Sequence, residues 1–103
     1  MNSMKRNGYL KPPLVDTQKG ECFICGYQGD TVVHEVFYGT ANRKLSKEWG
    51  CYLHLCVPCH QAIHTNPDCK YADDALKKTV YDAFCRKYSR DKFKEIFGRY
   101  YDD

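Results

Sequence analysis

The chain changes its hydrophobic rhythm midway, from short β-branched runs to helical spacing. Thr31-Val-Val-His-Glu-Val-Phe37 is β-branched and aromatic, lies between Gly29-Asp30 and Gly39, and predicts a strand that carries His34 and Glu35. Cys51 to Leu55 is a second strand-like run, expected to pair antiparallel with the first. Between them, Thr40 to Gly50 holds Arg43, Lys44, Lys47 and Glu48, with Leu45 and Trp49 four apart. That suits a long loop bearing one short helix. His60 to Thr65 reads as the first turns of a helix, halted at Asn66-Pro67-Asp68 because proline disfavours helical geometry in the residue before it.

Beyond the break, Leu76, Val80, Ala83, Phe84 and Tyr88 recur at helical spacing, with Asp73 or Asp74 as the expected cap. Phe93, Ile96, Phe97 and Tyr100 repeat the pattern, and Gly98 marks the expected stop. Both segments read as packing elements. Residues 1–19 show little periodicity and include Lys5, Arg6, Lys11, Pro12 and Pro13, the composition of a mobile or loosely docked basic lead-in. Residues 20–103 are expected to form one domain, with a core at 20–66 and packing helices at 72–101.

At 103 residues the chain is sized for a single core, which excludes a multidomain machine. Hydrophobic residues at 43% and charged residues at 28% describe neither a disordered nor a membrane protein. No run approaches the roughly 18 apolar residues of a membrane span, and the first twenty residues lack the apolar core of a signal peptide, so a cytoplasmic protein is expected. A net charge of +3 permits a phosphate-rich partner without requiring one.

Seven cysteines alter the picture more than charge does. An odd number argues against a framework built purely of disulfides, and a metal accounts for them better. Cys22-x2-Cys25 and Cys56-x2-Cys59 supply four thiolates in two knuckles, the ligand set that tetrahedral zinc prefers. Gly26 is free to take the positive φ that the first knuckle needs. A rival set would join Cys22 and Cys25 to His60 and His64, leaving Cys56 and Cys59 idle. Cys51, Cys69 and Cys85 lack paired spacing and read as small buried apolar residues.

With the thiolates assigned, His34, His60 and His64 remain, the last two at i and i+4 on one helical face. The second knuckle fixes the start of that helix, and a shared ion draws the His34 strand alongside it. Imidazoles gathered in this way can hold a divalent cation and activate water for attack on phosphorus. Arg43, Lys44 and Lys47 offer phosphate contacts beside them. The same three charges also suit a plain solvated loop. His54 is expected on the exposed face of its strand, without a role.

Three segments together carry a resemblance: His34-Glu-Val-Phe-Tyr-Gly39, Ala41-Asn-Arg-Lys-Leu-Ser46 and Leu55-Cys-Val-Pro-Cys-His-Gln-Ala-Ile-His64. The combination resembles the HNH endonucleases, the ββα-metal or His-Me finger group, and more narrowly a small phage-type branch with a four-cysteine zinc site. The resemblance covers roughly residues 22–66 and, weakly, the final helix. It implies an α+β fold of the ββα-metal kind with C-terminal helices, a structural zinc, and cleavage of DNA with Mg²⁺, Mn²⁺ or a similar ion. It also implies DNA as partner and leaves room for a phage recombination or packaging protein.

Matched position by position, His60 is the closing histidine of the motif and a ligand of the catalytic metal. His64 matches a second helix histidine that some members use as a ligand. At the opening position many members carry His-His or Asp-His, the first residue binding metal and the second acting as general base. Aligned through Val36 and Gly39, His34 leads and Glu35 follows, so either Glu35 serves as base or the register shifts by one and His34 does. Strand alternation lets one of the two enter the cleft. His34 is the better candidate, since an ordinary imidazole pKa of about 6.5 suits proton abstraction near neutrality. The middle asparagine of the motif is displaced: Cys51 stands near its usual place, and Asn42 is the candidate substitute. Two functions therefore compete, a metal-dependent nuclease and a non-catalytic zinc module that binds DNA or a protein.

Overall fold

A computed structural model describes residues 11–101. They form a small mixed α/β domain with a two-stranded sheet and four α-helices. Strand β1, Thr31–Glu35, pairs antiparallel with β2, Tyr52–Cys56, in the register Thr31 to Cys56, His34 to Leu53 and Glu35 to Tyr52. Helix α1, Thr40–Trp49, fills the connection. Helix α2, Val57–Thr65, follows β2 without a break. A 3-10 turn at Pro67–Cys69 leads into α3, Lys70–Lys87, and then α4, Arg90–Phe97.

The β1 alternation places His34 in the interior and leaves Glu35 half-buried, as its period-two geometry requires. After Glu35 the chain stays beside β2 through the amide of Val36, which donates to the Cys51 carbonyl at 3.0 Å. Phe37 then turns inward onto Phe93 and Phe97, each with ring centroids 5.1 Å away, and Phe93 stacks on Phe97 at 4.5 Å. Phe84 of α3 meets Phe93 at 5.3 Å, so three elements share one aromatic core. Ser46 of α1 fixes the turn above it: its buried hydroxyl donates to the Phe37 carbonyl at 2.8 Å and accepts from the Phe37 amide at 3.2 Å.

Two expectations change. Residues 11–19, expected as a loose lead-in, are tied to the sheet. The Leu14 amide donates to the Gly50 carbonyl at 2.9 Å, the Tyr52 hydroxyl donates to the Lys11 carbonyl at 2.8 Å, and the His54 amide donates to Thr17 Oγ1 at 3.0 Å. Leu14 and Val15 pack against the core. Gly50, left-handed at φ 79°, admits this strap: a Cβ there would meet the Pro12 carbonyl oxygen at 2.5 Å. The rest of the expected lead-in, residues 1–10, lies outside the described residues.

Helix α3 also begins earlier than Asp73. The Asn66 side chain accepts from the Asp68 amide at 2.9 Å, and the resulting turn runs straight into Lys70. Asp73 is thereby released from capping and turned into the interior. Ser89 caps α4 by accepting from the Lys92 amide at 2.9 Å, and Gly98 ends it with φ 85°. No helix among the described residues is long and apolar enough to cross a membrane.

Candidate metal centres

The first knuckle is a tight turn closed by the Cys22 amide donating to the Tyr27 carbonyl at 2.9 Å and the Gly26 amide donating to the Cys22 carbonyl at 2.9 Å. Gly26 takes φ 79°, as the turn demands. The Phe23 amide donates to the His54 carbonyl at 2.8 Å and binds this turn to the outer edge of β2. The second knuckle is the junction of β2 and α2: Cys56 stands at the N-cap, Pro58 in the first turn and Cys59 just after it.

Sulfurs of Cys22, Cys25, Cys56 and Cys59 all lie within 4.8 Å of one another. Cys25 Sγ and Cys56 Sγ are 3.7 Å apart. A tetrahedron with metal–sulfur bonds of about 2.3 Å has an edge of about 3.8 Å, so the cage has the right size for one four-coordinate ion. Burial opposes ionisation of Cys22, but amides of Cys25, Cys56 and Ile24 outweigh it and lower its pKa from 9.0 to about 6. The Cys22 sulfur is therefore poised to bind as thiolate.

The three histidines form a second, separate cluster. Their ligand atoms also lie within 4.8 Å of one another. Ring centroids of His34 are 5.3 Å from those of both His60 and His64, which stand 4.7 Å apart one helical turn from each other. This partition corrects the rival ligand set: Cys22 and Cys25 group with Cys56 and Cys59, while His60 and His64 group with His34.

His34 is fully buried, and neither of its ring nitrogens has a hydrogen-bond partner. Burial first, and then the neighbouring charges of His60 and His64, lower its pKa to about 4. His60 is lowered by burial, by His64 and by Arg43, with Glu35 acting in the opposite sense. Both shifts favour neutral imidazoles, the form that binds metal. Its own shift makes His34 a weaker proton acceptor near neutrality than an ordinary imidazole.

Of the other expected residues, Glu35 is half-buried on the opposite strand face, yet its charge reaches His60. Asn42 is half-buried in the first turns of α1, beside the exposed Arg43, whose charge also reaches His60. Lys44 is exposed and Lys47 half-buried on the same helix. His54, expected to be exposed, is half-buried on β2 and belongs to neither ligand cluster. Cys51 is wholly buried, with its thiol pKa pushed up by burial, and Cys69 and Cys85 are half-buried.

Sequence reasoning missed Tyr38, Asp73 and Lys77, which wall the histidine cluster on the α3 side. The Tyr38 hydroxyl donates to Asp73 Oδ2 at 2.7 Å, and its ring stands 4.9 Å from that of His64. Lys77 pairs with the same Asp73 oxygen at 3.2 Å and lies 4.5 Å above the Tyr38 ring. Asp73 was expected only as a helix cap, and the i, i+4 spacing of Asp73 and Lys77 is the one signal in the chain that could have pointed to this group. Comparison with family models, with curated proteins and with solved structures gives no match to this chain.

Proposed function

We propose that the chain is a metal-dependent DNA endonuclease of the HNH type, with structural zinc in the four-cysteine cage and a second divalent cation on His34, His60 and His64. One observation carries this reading: a fully buried imidazole with two unpartnered nitrogens faces two further imidazoles. A buried polar atom left unpaired costs about 1–3 kcal/mol, so such an arrangement is sustained where a ligand completes it. The cysteine set fills all four tetrahedral positions with protein, as structural sites do, whereas three histidines leave positions open.

When bound, a divalent cation supplies Lewis acidity toward a phosphoryl oxygen and lowers the pKa of water. The chain's own residues do the rest. His34 is held by the strand as a neutral ligand, and His60 and His64 converge on it from α2. With His34 facing the site, Glu35 on the opposite strand face acts on His60 through its charge alone, and the exposed Arg43, whose charge also reaches His60, stands where a phosphate backbone would approach. A phage recombination or packaging protein as further partner belongs to the same proposal.

Supercoiled plasmid incubated with the protein and Mg²⁺ or Mn²⁺ provides the test. Nicked product is expected, lost in His34→Ala and His60→Ala and retained in His54→Ala. Tight DNA binding without nicking under several divalent metals would instead assign the chain to the class of non-catalytic zinc modules.

A further inference from the structure

Among the described residues, three buried side-chain atoms have no hydrogen-bond partner: both ring nitrogens of His34 and Oδ1 of Asp73. The Asp73 side chain is 10% exposed. Its two partners, the Tyr38 hydroxyl and the Lys77 ammonium, both take Oδ2, which leaves Oδ1 without a donor. Tyr38 lies between this carboxylate and the histidines, with its ring 4.9 Å from His64 and 6.0 Å from His34. The negative charge of Asp73 reaches His34. Asp73, Tyr38, His64 and Lys77 also line one open cavity of about 460 Å³, roomy enough for ordered water.

A neutral imidazole has one lone pair and one N–H. If the lone pair of His34 faces a cation, its N–H still needs an acceptor in a buried place. We propose that Asp73 is a positioning residue for the three-histidine site, its Oδ1 accepting the His34 ring N–H through one ordered water. All three orphan atoms then find partners at once. A carboxylate behind a metal-bound histidine fixes the ring's tautomer and orientation and raises its basicity. Tyr38 and Lys77 serve this arrangement by anchoring Oδ2 and so aiming the other oxygen.

The inference rests on the three histidines holding a cation, as proposed above, and not on DNA cleavage. The test therefore uses metal binding. Full-length protein carrying one equivalent of zinc is titrated with Co²⁺, followed by visible absorption. Asp73→Asn should bind Co²⁺ about 10–100-fold more weakly than wild type, Asp73→Glu should recover part of the loss, and Tyr38→Phe, which keeps the carboxylate, should stay within a few-fold. In wild type given a second equivalent of zinc, the His34 ring N–H should exchange slowly with solvent in proton NMR, a readout that requires no variant to fold.

Unchanged Co²⁺ affinity in a folded Asp73→Asn protein, or a freely exchanging His34 N–H in the wild type, would overturn the role of Asp73 while leaving the histidine site standing. Absence of any Co²⁺ binding beyond the cysteine cage would overturn both.

Discussion

The imidazoles of His34 and His60 meet edge-on with centroids 5.3 Å apart, one on a strand and the other on a helix. The chain between them explains the meeting. Thr31 pairs with Cys56 and His34 with Leu53, three residues back from the junction, so α2 turns back over β1 from Val57 and carries His60 and His64 to His34. Cys56 and Cys59 meanwhile bind the start of α2 to the Cys22–Cys25 turn. The sulfur cage and the histidine cluster are thus consecutive features of one strand–helix junction.

Loss of one thiolate should therefore be felt throughout the domain. Metal binding in zinc-finger peptides is worth on the order of 10–16 kcal/mol, comparable with or above the whole stability of a small domain. Cys56→Ser is expected to retain no tightly held zinc and to lose cooperative unfolding. Cys69→Ser, outside the cage, should keep both. Elemental analysis with thermal denaturation reads the difference, and a Cys56→Ser protein that melts like the wild type would refute it.

Acid should destabilise the protein through His34. Its folded pKa of about 4 lies below an unfolded value of about 6.5, so the unfolded chain binds the additional proton between them. The contribution is whole above pH 6.5 and lost as pH falls toward 4, amounting to about 1.4 kcal/mol by pH 5.5. Urea unfolding at pH 7.5 and 5.5, with the cysteine cage loaded and no other metal added, should show a larger loss for wild type than for His34→Leu. Equal losses would contradict the buried, neutral state of this ring.

Arg43 is exposed, and its charge reaches His60. Under the nuclease proposal Arg43→Ala should weaken DNA binding to a similar degree for every sequence and reduce the slope of log K against log salt by about 1. Fluorescence anisotropy at several salt concentrations measures that slope. An unchanged slope would remove Arg43 from the DNA contact.

Ser46 holds both the amide and the carbonyl of Phe37 from a fully buried position. Ser46→Ala leaves these groups unpaired and should cost about 1–3 kcal/mol in urea denaturation of the zinc-loaded protein. A cost below about 0.5 kcal/mol would mean that the turn after β1 finds other partners.

Local chemistry made much of this legible in the chain. The two cysteine pairs, the β-branched run around His34 and the i, i+4 histidines each announce their geometry over a few residues. Paired with the strand register, they also placed the histidines in one cluster. Other features depended on contacts across the fold. The Lys11–Lys19 strap packs because Gly50 leaves room for it, and Asp73 turns inward because Tyr38, 35 residues earlier, supplies a donor. Neither periodicity nor spacing records such partners. Ser46 was hidden for the same reason: a polar residue on a short helix reads as solvent-facing until the turn it satisfies is known.

X-ray absorption at the zinc edge, on protein dialysed to one equivalent of metal, tests the central claim most directly. Four sulfur neighbours at about 2.3 Å are predicted. A shell of two sulfurs and two imidazole nitrogens would contradict it, because the ion would then join the knuckle to the helix histidines and leave no separate three-histidine site.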